Sequence, residues 1–241
     1  MLSLVYTEFI KLKRKAIVLI VLLIAVLPPL INSLYTLNLP DNSPINADFR
    51  QFFQSEFVFI EWILLPCALA AVSSVLFFSE RENRTLKELL MLPVNKSLYI
   101  LSKFIIILCF SAVFMLLTAL CTYTAGIVLS YNGMTADVLR ELANTCLKTG
   151  ILTAFAMLPI ILITVIADKG YILSTCATLI YCISGLTFTS DLMGLHPLSS
   201  AAGIIAMNNT CKNQLLCVSN IAILPILSLI ICVFVLKKQN H

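Results

Sequence analysis

The sequence predicts an all-α, polytopic membrane protein with six transmembrane helices and both termini on the cytoplasmic side. Three observations carry this. Hydrophobic residues make up 60% of the 241 residues and charged residues 12%, where soluble domains hold roughly 25% charged residues. No water-soluble fold of this length hides so much apolar surface. The apolar residues gather into six long runs, and the basic residues concentrate on alternate connections between them.

A membrane helix needs roughly 20 mainly apolar residues. The six runs are Ala16–Leu37, Phe57–Phe78, Phe104–Leu129, Thr149–Ala167, Tyr171–Ser190 and Val218–Leu236. Backbone groups in hydrocarbon must bond internally, which helices achieve alone. None of the runs alternates polar and apolar residues with period two, so membrane strands are excluded. The first run follows a basic stretch, Lys11, Lys13, Arg14 and Lys15, as a secretion signal would. It continues through Pro28, Pro29, Leu30 and Ile31 without a small-residue cleavage site, so it reads as a retained span. Spans four and five are joined by only Asp168, Lys169 and Gly170, a tight hairpin turn.

Orientation follows from lysine and arginine. With the N-terminus inside, twelve of the 16 basic residues are cytoplasmic, leaving Arg50, Arg140, Lys148 and Lys212 outside. The net charge of +4 is small, and its placement matters more than its size. There is no linker, repeat or charge block, so residues 1–241 form one transmembrane domain.

Two amphipathic pieces are expected on the cytoplasmic face. In the N-terminal segment, Leu2, Val5, Phe9 and Leu12 recur at helical spacing, while Glu8, Lys11 and Lys15 line another face. An interfacial helix with its charged face toward headgroups or a partner follows. Between spans two and three, Ser79 and Glu82 have capping-box spacing, Leu86, Leu89 and Leu90 form an apolar stripe, and Pro93 ends the helix. This piece is too short to span and presents a surface that a soluble partner would grip.

On the outer side, residues 191–220 contain an apolar, small-residue stretch, Leu198–Met207, expected as a short helix and not a seventh span. Glu61 is the main ionisable residue within a predicted span. Beside Trp62 and near the outer end of span two, it is expected at the interface, with substrate contact as the lesser alternative.

Chemistry-bearing motifs are missing. There is no P-loop and no H-E-x-x-H. The only histidines are His196 and His241, and Ser190, Asp191 and His196 lie too close together for triad geometry. The nine cysteines include no CxxC. Cys211 and Cys217 share a polar segment, where a disulfide is an alternative to the preferred two free thiols. Asn208–Asn209–Thr210 matches a glycosylation pattern without expected meaning. No catalytic, cofactor-binding or metal-ligating residue is expected in this chain, and no nucleic-acid partner.

The two amphipathic pieces resemble the permease subunits of ABC-2 type exporters, in the branch that includes bacitracin-transport and lantibiotic-immunity permeases. Glu8 and Lys11 match an E-x-x-K stretch before the first span. Glu82, Arg84, Thr85, Leu86, Lys87, Leu89 and Leu90, leading into Pro93 and Val94, match the segment after the second. Arg84 departs from the glycine that this family often has. The resemblance covers the whole chain in topology and about the first hundred residues in motif.

The resemblance implies that residues 79–92 form a coupling helix. This helix and the N-terminal helix, with Glu8, Phe9, Lys11 and Leu12, would dock on a cytoplasmic ABC ATPase dimer that binds ATP and Mg. It implies a second permease subunit, a location in the bacterial plasma membrane, and export of an amphipathic peptide antibiotic or similar compound. The alternatives are a self-contained secondary transporter or channel, which needs buried charges near span centres, and an intramembrane enzyme, which needs paired acids or an activated nucleophile.

Overall fold

The structure, a computed structural model, describes residues 2–13, 15–39, 48–82, 96–166, 171–188, 192–205 and 214–238. No strand occurs among them. The N-terminal helix α1 covers Leu2–Lys13. The first apolar run is two helices, α2 (Ala16–Ile24) and α3 (Leu27–Leu37), with Pro28 and Pro29 in the first turn of α3. Proline fits a first turn because its missing N–H is an orphan there anyway. The same residues in mid-helix break the hydrogen-bond ladder, so the run bends at this point.

The second predicted span belongs to a much longer helix. It runs through α4 (Phe49–Phe59), a π-helical segment Ile60–Leu64, and α5 (Leu65–Glu82). Next come α6 (Lys96–Val128), α7 (Ala136–Ala156) and α8 (Leu158–Ile166). Then follow α9 (Tyr171–Thr187), a 3-10 turn Met193–Leu195, α10 (Pro197–Ile205) and α11 (Gln214–Lys238), which contains Pro225. Among the described residues, five helices are long and apolar enough to cross a membrane, and α9 supplies a shorter apolar helix over Ser174–Thr187. The short helix expected at Leu198–Met207 appears as α10 over Pro197–Ile205, and residues 206–207 lie outside the described residues.

Helix starts differ from the apolar runs. Phe49, Lys96, Ala136 and Gln214 begin helices that were expected to begin at Phe57, Phe104, Thr149 and Val218. Two of these starts have a local cause. Thr135 caps α7 by accepting from Val138 N at 3.4 Å, with Asp137 in the first turn. The α4 start is tied to the turn after α6, where Phe49 N donates to Asn132 O at 3.2 Å. Gly133, at φ +80°, has space for no side chain there, because an added Cβ would meet Asp48.

The core forms around the α4–α5 helix. Phe49, Phe52, Phe53, Ile60, Leu65 and Leu69 are fully or almost fully buried, and they meet Ile107, Phe114 and Met115 of α6. Helices α6 and α7 approach closely at Gly150, whose carbonyl accepts from Ser111 Oγ at 2.7 Å. A Cβ at Gly150 would stand 3.3 Å from the Ser111 carbonyl oxygen, a small-residue contact of the kind that lets membrane helices pack tightly. A smaller cluster on the other side joins Ala156, Cys182, Leu198, Ala201 and Ile221.

Candidate functional site

The N-terminal helix is held to the bundle by a buried ionic cluster. Lys103 of α6 is fully buried, and its Nζ donates to Glu8 Oε2 at 3.0 Å and to the Leu76 carbonyl of α5 at 2.7 Å. It also lies 5.2 Å from the Phe77 ring centre and 4.9 Å from that of Tyr99. Lys11 donates to the other Glu8 oxygen at 2.8 Å. Glu8 therefore joins α1 to both helices that flank residues 83–95.

This corrects the expected faces of α1. Glu8, placed by its spacing on the face toward headgroups or a partner, is buried, and Phe9, placed on the apolar face, is exposed as Tyr6 is, while Leu12 of that apolar face is buried. The cause is Lys103, a cation inside a predicted cytoplasmic flank that folds inward and takes the carboxylate with it. Exposed Tyr6 and Phe9 suit a membrane interface, where aromatic rings gather.

The expected coupling residues Arg84, Thr85, Leu86, Lys87, Leu89, Leu90 and Pro93 lie outside the described residues, and Glu82 ends α5. Glu61 falls within the π-helical segment. The helix starts at Phe49, so Glu61 lies about 18 Å along it. Ser190, Asp191, Asn208–Thr210 and Cys211 also lie outside the described residues. Cys217 is buried.

His196 has a structural place. It accepts from Leu198 N through Nδ1 at 3.2 Å, and its Nε2 is 3.3 Å from Ser184 Oγ. Its ring stacks near Tyr181 and Phe188, at 4.3 and 5.6 Å between ring centres. Burial pushes its pKa below the usual imidazole value. It thereby fixes the chain between α9 and α10.

A second polar cluster was missed by sequence reasoning, which assigned Glu56 to an outer loop. Glu56 is 1% exposed. Thr122 Oγ1 of α6 lies 3.0 and 3.1 Å from its two oxygens and 2.8 Å from the Thr118 carbonyl. One hydroxyl proton thus faces three acceptors, and a carboxylate there is short of donors. Nearby, Asn32 Nδ2 donates to the Phe52 carbonyl at 2.9 Å, and Ser55 Oγ is 3.3 Å from Asn32 Oδ1. Asn32, Ser55 and Glu56 border a cavity of about 550 Å³ between α3 and the α4–π segment, walled also by Ile31, Tyr35 and Ile63. The signal was available: Phe49, Phe52, Phe53, Glu56 and Phe57 follow helical spacing.

A bundle of long apolar helices, with α1 docked on the helices flanking one connection, defines a multi-pass membrane protein. Residues 4–185 match the family described as ABC-2 family transporter protein, and the chain belongs to that family. It is similar to the bacitracin transport permease protein BCRB of Bacillus licheniformis, with 26% identity over 153 residues that cover 63% of this chain and 73% of that protein. No solved structure matches it. The chain is thus an all-α, multi-pass protein of the bacterial cell membrane and a permease subunit of an ABC exporter.

Proposed function

We propose that this permease exports an amphipathic peptide antibiotic or a similar compound, conferring resistance or self-immunity. It spans the membrane six times with both termini inside, pairs with a second permease subunit, and is driven by a cytoplasmic ABC ATPase dimer that binds ATP and Mg. The name of the Bacillus licheniformis relative supports the cargo class. The observation that carries the coupling is the docking of α1, through Glu8, onto Lys103, which itself donates to the Leu76 carbonyl. That contact ties the N-terminal helix to both helices flanking residues 83–95, so a push on the connection would move all three elements together.

Leu86, Leu89 and Leu90 would fill a hydrophobic groove on the ATPase, with Glu82, Arg84, Lys87 and Glu88 fixing register by charge. Burial of each leucine is worth roughly 1.5–3 kcal/mol before ordering costs. The double variant Leu86→Asp/Leu89→Asp is expected to insert normally, lose ATPase in a pull-down, and lose resistance to the exported compound. Wild-type behaviour in both readouts would remove the coupling assignment. Cysteine labelling at Asn46 and Asn144 should report the outside, and at Asn95 and His241 the inside. An outside His241 would end the six-span arrangement.

Purification in mild detergent tests the partner, because the permease is expected to bring an ATPase with it.

A further inference from the structure

We infer that the cavity beside Glu56 is a binding site for a monocationic amphiphile, an apolar body carrying one ammonium group. The inference deepens the exporter reading, on which it rests for its purpose but not for binding itself.

The chemistry of the walls selects the ligand. Glu56 is almost wholly buried, lines the cavity, and makes no ion pair with a cation among the described residues. Its donor supply is the shared Thr122 hydroxyl. Surroundings of low dielectric amplify attraction for a cation placed there. Asn32 and Ser55 are already fixed by bonds to each other and to the Phe52 carbonyl, so the polar side is preorganised. The remaining wall is mostly apolar, with Tyr35 as its aromatic residue. The volume of about 550 Å³ lies within the range of small-molecule sites.

The lining also excludes ligands. No lysine or arginine borders the cavity among the described residues, so an anionic or phosphate-bearing headgroup would meet Glu56 without a counter-charge. Ile31, Tyr35 and Ile63 are exposed and line the cavity, so the amphiphile enters past them. The π-helical segment that carries Ile63 is of a kind often found at functional positions.

The test uses the full chain, with any bound ATPase, in phosphatidylcholine nanodiscs and a long-chain alkylammonium probe carrying a diazirine. Crosslinks are expected within residues 28–35 and 55–64. Unlabelled alkylammonium should compete about tenfold better than the alcohol of equal chain length, a difference set by the charge. Glu56→Gln should lower labelling by about tenfold, and Glu56→Asp should retain more. Ile31→Trp, which fills the mouth from an exposed position, should also lower it while leaving the carboxyl intact. Labelling spread over all lipid-facing helices, or unchanged in both Glu56→Gln and Ile31→Trp, overturns the site. Loss of labelling in phosphatidylethanolamine nanodiscs overturns the choice of a free monocation over a lipid headgroup. ATPase co-purification is read from the same preparation. Failed labelling with the ATPase present defeats the site alone, and specific labelling without an ATPase supports the site while defeating the exporter reading.

Discussion

Glu8 and Glu56 are both carboxylates taken almost wholly out of solvent, and the fold treats them in opposite ways. Glu8 meets two lysines, one on each oxygen, and one of those lysines is itself fully buried and bonded to a backbone carbonyl. Glu56 meets one shared hydroxyl and an open cavity. The first arrangement is closed, with opposite charges and hydrogen bonds in place, and it suits a joint that transmits force. The second is incomplete, and a buried acid left incomplete beside a cavity is the feature of a binding site. The difference teaches that burial of a charge is not itself a functional sign. What the surrounding groups leave unsatisfied is.

The largest test of this contrast is Lys103→Met. Breaking a buried pair by removing one partner costs roughly 3–5 kcal/mol, because the other charge stays buried. Lys11 remains on Glu8, so the lower part of that range is expected. Glu8→Leu should also be harmful, since it takes the carboxylate from buried Lys103, and the double variant Glu8→Leu/Lys103→Met should recover most of the loss. Thermal unfolding in detergent, followed by the reactivity of buried Cys146 and Cys232, measures it. If the single variants lose less than about 1 kcal/mol, as exposed pairs do, the joint is not closed.

This joint shows how far the sequence was legible. The apolar runs located the helical bundle because burial in lipid leaves a long, uninterrupted hydrophobic record. Glu8 and Lys11 were also marked, through their spacing before the first span. Their partner was not, because the pairing of Glu8 with Lys103 crosses 95 positions, and no local period reports such a contact. Glu56 was missed for a different reason. In FRQFFQSEF the polar residues dilute the average hydropathy, so the segment resembles a loop, although its phenylalanines sit one helical turn apart. Average hydropathy finds where lipid lies, and it is blind to helices that bury polar groups against other helices. The bend at Pro28–Pro29 and the break at Met157 before Pro159 stood within single apolar runs for the same reason.

A medium effect is expected at the incomplete site. Thr122→Val keeps the shape of the side chain but deletes the one side-chain donor to Glu56 among the described residues. Leaving a buried acceptor unsatisfied costs about 1–3 kcal/mol. Glu56→Leu should then be neutral or stabilising, since no cation loses a partner. In the Glu56→Leu background the penalty of Thr122→Val should largely vanish, and that non-additivity isolates the contact. A Glu56→Leu variant as unstable as Glu8→Leu would show that Glu56 has a buried counter-charge, and the contrast between the two acids would collapse.

The smallest effect is expected from Lys11→Ala, and it sharpens the contrast from within the closed site. Lys11 and Lys103 approach the same carboxylate at 2.8 and 3.0 Å, yet the Lys11 side chain is 49% exposed and that of Lys103 is 0% exposed. Distance alone would rank Lys11 as the stronger partner. Solvent decides otherwise. A partly exposed pair within one helix turn is screened by water and salt, and holding a long side chain in one geometry costs entropy. Loss of Lys11 should therefore cost no more than about 1 kcal/mol, and the cost should shrink further as salt rises from low to physiological strength. The Lys103→Met penalty should change little over the same salt series, because ions do not reach a fully buried pair. Unfolding curves of both variants at several salt concentrations give the answer. Equal penalties with equal salt dependence would mean that both lysines are solvated, and that α1 rests on the bundle without being locked to it.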